Sequence, residues 1–120
     1  MEISLQMAQT LAAKAVDKAA REFKRPICVA VCDKYGFLLA FARMDGAPVR
    51  SIALSQGKAY SATRMGVDTD AFWERLHHRE NVPASYFCDD KLTGLAGGVV
   101  LKDGTGGAAF MMPCMLQFSL

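Results

Sequence analysis

The sequence predicts an α+β fold: an antiparallel sheet flanked by helices. Two observations carry this. Apolar runs come as neighbouring pairs joined by short turns, once early and once late in the chain, and such pairs form antiparallel ladders. Segments of helical periodicity precede and separate the pairs, so their apolar stripes must be buried against the sheet. The 120 residues, 52% hydrophobic and 22% charged, suit one globular domain spanning 1–120 that needs no disulfide staples.

Residues 3–23 form the clearest helix. Met7, Ala8, Leu11, Ala12, Ala15, Val16, Ala19 and Phe23 recur at spacings of three and four, and Lys14, Asp17, Lys18 and Arg21 fall on the other side. Ser4 is its expected N-cap, and Pro26 closes the connection to the first strand. Residues 27–31 and 37–41 read as two buried strands around the turn Asp33-Lys34-Tyr35-Gly36. Asp33 is expected to cap that turn through its side chain.

Gly46-Ala47-Pro48 ends the second strand, and Ser51 is the expected cap of a helix over 51–65, with Ile52, Leu54, Ala59 and Ala62 on its buried side. Asp68 or Thr69 caps a third helix over 70–78 with Phe72, Trp73 and Leu76 as its stripe. Residues 81–90 are irregular and read as a loop covering a pocket or a sheet edge. Residues 99–101 and 108–112 form the late strand pair, turning at Lys102-Asp103-Gly104. Pro113 argues against an uninterrupted central strand there.

Four of these segments, in order, resemble the GlcG/HbpS-like haem-binding family, which includes the C-terminal domain of PduO-type adenosyltransferases. They are the alanine-rich first helix, the hairpin VAVCDKYGFLLAFARMDGA, the lysine-containing SIALSQGKAYSAT and the glycine pair in LAGGVVLKDG. The resemblance covers about the first 105 residues. It implies a profilin-like architecture and a small-molecule ligand, haem or a related tetrapyrrole. Haem degradation is implied by the resemblance alone, because no catalytic constellation stands out in the sequence. An alternative that the resemblance also implies is a non-catalytic, oligomeric accessory protein for enzymes of diol, glycerol or glycolate use. After about residue 106 the sequence departs from the family pattern, reading GGAAFMMPCMLQFSL where relatives continue to a final helix. The expectation is an altered or shortened tail, as a change of reading frame would give, leaving apolar surface uncovered.

Candidate ligand-binding residues are Arg43, Asp45, Lys58, His77 and His78. Arg43 offers a bidentate fork and Lys58 a point charge for a carboxylate or propionate. Equally, either cation suits an ion pair with Asp45 that only fixes the loop. His77 and His78 lie about 100° apart on a helix and cannot both ligate one metal from it. One of them suffices as an axial haem ligand, and both also suit a helix C-terminus. Met44, Cys28, Cys32 and Cys88 are haem ligands by residue type only.

Cys28 and Cys32 share one strand face about 13 Å apart, too far for a disulfide, and the four cysteines, Cys114 included, read mainly as buried thiols. The glycines at 94–98 and 104–107 match turns better than a phosphate-binding loop. No metal signature appears. A net charge of +2 without a basic, aromatic-interleaved stripe gives no nucleic-acid signal. No stretch has the length of a membrane span. The N-terminus shows no secretory pattern, so the expected location is the cytoplasm.

Overall fold

The computed structural model describes residues 3–100 and, as backbone, 109–111. Helix α1 (Leu5–Lys18) is followed by a wider π turn (Ala19–Phe23), then strands β1 (Cys28–Cys32) and β2 (Leu38–Arg43). Helix α2 (Arg50–Met65), helix α3 (Thr69–Glu74) with a π turn (Arg75–Arg79) and a 3₁₀ turn (Ala84–Phe87) form the middle. Strands β3 (Gly98–Val100) and β4 (Ala109–Met111) complete an antiparallel sheet of order β2-β1-β4-β3. This is the α+β fold expected.

Helix α1 begins where the sequence places it. The Ser4 hydroxyl accepts the Met7 N–H at 3.1 Å, satisfying an N–H that the helix itself cannot. Ala8, Ala12 and Ala15, with Ala19 beyond them, are buried, and the larger Met7, Leu11, Val16 and Phe23 ring this seam half-buried. The seam packs on Ile27, Val29 and Val31. The predicted continuous helix to residue 23 is corrected in its last turn, which widens into the π form and ends at Lys24 in a left-handed conformation. Pro26, which disfavours helical backbone at Arg25, accounts for the stop.

Strand β1 is buried along its whole length. Its odd-numbered side chains meet α1, and Ala30 and Cys32 meet Ala59 of α2, so the two helices cover opposite faces of the sheet. Strand β2 corrects an expectation. It is an edge strand with both ends exposed and only a half-buried middle, because β4 takes the place on the other side of β1. The register slips between Val31 and Cys32, whose partners are Ala40 and Leu38; Leu39 is the extra residue of a bulge.

Two predicted caps work elsewhere. Ser51 lies inside α2 and is buried, with Val49 at the cap position. Asp68 stands at the α3 cap but makes no capping bond; its carboxylate accepts the Val100 N–H at 2.8 Å. The Thr69 hydroxyl accepts the Gly98 N–H at 2.8 Å. The residues that start α3 therefore fasten β3 beside α2. On α2 the buried face carries Ser51, Ser55, Lys58, Ala59, Ser61 and Ala62, whereas the expected Ile52 and Leu54 are only half-buried. On α3, Phe72 and Leu76 are buried as expected and Trp73 is not.

The late strands pair as predicted, Gly98 opposite Met111 and Val100 opposite Ala109, and β4 is a central strand despite Pro113 two residues on. Pro113, Cys114, the 102–104 turn, the 104–107 glycines and the tail lie outside the described residues. Among the described residues no helix is long and apolar enough to cross a membrane.

Helix α2 approaches the sheet as closely as backbone permits. A Cβ on Gly98 would stand 2.4 Å from the Lys58 carbonyl oxygen and 2.8 Å from Thr69 Cγ2. Gly98→Ala is expected to cost about 2–3 kcal/mol or more through overpacking, read as a lowered midpoint of urea unfolding at unchanged m-value. A midpoint equal to that of the parent protein would contradict this packing.

Candidate functional site

The hairpin turn is built by Asp33. Its carboxylate accepts the N–H groups of Tyr35 and Phe37, each at 2.9 Å, and its main chain pairs with Phe37 and Gly36. Gly36 takes φ +92° there, a conformation that side chains resist. The turn leaves two adjacent large apolar groups, Phe37 and Leu38, 64% and 46% exposed.

They face a cleft. A cavity of about 640 Å³ opens between the hairpin turn, the outer side of α2 and residues 90–93, with Phe37, Leu38, Ile52, Leu54 and Leu92 as its apolar walls. Gln56, Tyr60, Arg64, Asp90, Lys91 and Thr93 supply its polar groups, two cations and one carboxylate among them. Gln56, Tyr60 and Arg64 lie on the side of α2 turned away from Ala62, so one helix seals the sheet with one face and forms a cleft wall with the other.

Tyr60 is the centre of the polar set. Its hydroxyl donates to Asp89 Oδ2 at 2.5 Å, and the Arg64 guanidinium and the Lys91 ammonium lie 5.0 and 5.7 Å from its ring centre, within cation–π range. The bond to Asp89 holds the Tyr60 phenol above its ordinary value, with burial and the Asp89 charge acting the same way. The same bond holds Asp89 below the usual carboxylate range, helped by the Lys91 N–H and the nearby cations. The phenol is therefore neutral and the carboxylate ionised throughout the neutral range.

Residues 81–90, expected to be an irregular loop over a pocket or a sheet edge, contain the 3₁₀ turn Ala84–Phe87 and pack on α3. Phe87 packs edge-on against Phe72 at 5.4 Å between ring centres, and the segment ends at Asp89, on the cleft's rim.

None of the five residues singled out from the sequence lines this cleft. Arg43 and Asp45 are exposed where β2 leaves the sheet, and among the described residues no ion pair joins them. Lys58 is buried, 2% exposed, on the inward side of α2, about 200° around the helix from Tyr60. His77 is exposed, stacks on Trp73 at 3.7 Å and places Nδ1 3.0 Å from the Trp73 carbonyl oxygen. His78 is exposed beside Glu74.

Met44 serves the backbone: its N–H donates to the Ile27 carbonyl and its sulfur accepts the Ile27 N–H at 3.3 Å. Among the described residues no three histidine, cysteine or acidic side chains gather as a metal site. Sequence reasoning missed Tyr60 and Asp89. The available signal was one aromatic residue on the polar side of a helix made of small residues.

Comparison with known proteins adds to this geometry. The family model described as "Haem degrading protein HbpS-like" matches residues 3–110. A crystal structure of HbpS is similar at a TM-score of 0.79 and 27% identity, covering 93% of this chain and 77% of that one. The Streptomyces reticuli HbpS double mutant gives 0.76 and 28%, with 93% and 74% covered. PduOC, crystallised as a haem complex, shares the fold at 0.76 and 19%, with 93% and 82% covered. No curated protein sequence matches.

The cysteines divide by environment. Cys28 and Cys32 are buried, and Cys88 is exposed, against the expectation of burial. Burial, with a lesser push from Asp33, raises the Cys32 thiol to about 12. At pH 8 an alkylating reagent should modify Cys88 and leave Cys32 intact until the protein is unfolded, as peptide mass mapping would show. Early modification of Cys32 in the native state would contradict its burial.

Proposed function

The chain belongs to the HbpS-like family, and from that membership we propose that it binds a flat, largely apolar small molecule in the cleft beside Tyr60, with haem or a related tetrapyrrole as the ligand class. The observation that carries this reading is the cleft itself. About 640 Å³ lined by Phe37, Leu38, Ile52, Leu54 and Leu92 falls within the roughly 300–1,000 Å³ of small-molecule pockets. Arg64 and Lys91 border it and suit carboxylate substituents. The haem complex of PduOC, a protein of the same fold, adds support.

The residues present fit the ring and its acidic groups better than they fit an iron atom. The Tyr60 hydroxyl is already given to Asp89, and the Cys32 thiol is held protonated by burial, whereas the iron ligand would be a thiolate or phenolate. Binding on this reading comes from apolar contact and charge, and no chemical step at iron is assigned. Arg43, Asp45, Lys58, His77 and His78 stand as an alternative set of proposed ligand contacts, outside this cleft.

Titration with haemin and with metal-free protoporphyrin tests the proposal, by the Soret band for the first and by fluorescence for the second. Both should bind one to one with affinities within about tenfold, and Leu38→Asp should weaken both by about tenfold or more by setting a charge on an apolar wall. Spectra identical to those of the free pigments would overturn it.

A second reading, self-association, is favoured by the edge position of β2. Among the described residues nothing pairs with its outer side, and Tyr35 and Phe37 stand exposed beside it. Light scattering at micromolar concentration should then give a mass above that of one chain; a strict monomer would remove this reading.

A further inference from the structure

We propose that Tyr60 is the strut and latch of the cleft: its ring holds the hairpin turn at a fixed distance from α2, and its bond to Asp89 ties down the wall formed by residues 89–93. The inference extends the ligand-binding reading from where a ligand would sit to what controls its passage.

The strut is visible at Gly36, where an added Cβ would stand 3.0 Å from Tyr60 Cδ2. The turn therefore rests on the edge of the Tyr60 ring with no room for a side chain between them. The opposite wall is folded as a unit before it reaches α2. Asp89 accepts the Lys91 N–H through its side chain at 3.1 Å and the Leu92 N–H through its carbonyl at 3.2 Å.

That unit then meets α2 at two adjacent residues. Tyr60 donates to Asp89 at its start, and the Ser61 hydroxyl accepts the Thr93 N–H at 2.7 Å at its end while donating to the Gly57 carbonyl. The two anchors differ in kind. The Thr93–Ser61 bond joins a main-chain N–H to a part-buried hydroxyl, whereas the Tyr60–Asp89 bond is between side chains at the cleft and can be broken without unfolding α2. A charged acceptor makes it the stronger of the two. Tyr60 is thus a positioning residue that touches both walls, and the loss of its hydroxyl removes the latch while leaving the strut.

Amide hydrogen exchange on the full chain tests this without any ligand. In Tyr60→Phe the Thr93 amide should exchange about tenfold faster, the amount expected from losing one charge-assisted hydrogen bond, while amides of β1 keep their rates. Asp89→Ala should behave like Tyr60→Phe, and Asp89→Asn, whose amide oxygen still accepts the phenol proton, should stay within about threefold of the parent. Protoporphyrin dissociation should quicken in the same two variants and not in the third.

Unchanged Thr93 exchange in Tyr60→Phe, or a rise shared equally by β1, would overturn the latch. Failure of the parent protein to bind porphyrin would instead sink the ligand reading, and the exchange result would still decide the latch.

Discussion

Strand β1 must be dry on both faces, and the rest of the structure follows from that. With α1 on one side and α2 on the other, each of its five residues is buried. Aliphatic side chains such as Val29 and Val31 each contribute about 1.5–3 kcal/mol on burial. A strand covered on both faces needs neighbours on both edges to satisfy its backbone. Strands β2 and β4 supply them, and β2 is left at one edge of the sheet.

Close docking of α2 is the second condition. Serine and alanine on its inner face, and glycine at the start of β3, allow main chain to approach main chain. Asp68 and Thr69 serve the same contact when they hold β3 instead of capping α3. The outer side of α2, with Gln56, Tyr60 and Arg64, is then free to line a cleft. Fold and candidate site are two faces of one helix.

Most of the fold was legible in the sequence because its signals are local. The Ser4 cap, the Asp33 turn and the alanine seam of α1 each depend on residues within a few positions of one another. The failures share a cause. That β2 is an edge, that Ser51 is buried and that Asp68 holds β3 are decided by partners distant in the chain, the last of them 32 residues away. Family resemblance reached the architecture but not the cleft. Charged residues near a strand end drew attention to Arg43 and Asp45, while Tyr60 and Asp89, 29 residues apart, carry no spacing that announces a pair. Trp73 was placed in the core by periodicity and instead lies partly exposed under His77, which a three- to four-residue spacing cannot foresee.

The central claim is that ligand binding belongs to the cleft between the hairpin turn and residues 89–93. Amide chemical-shift mapping with protoporphyrin tests it most directly. The expected result is a set of perturbed amides confined to residues 36–38, 52–60 and 91–93. Perturbations centred on Arg43, Asp45, His77 and His78, with the cleft silent, would contradict it.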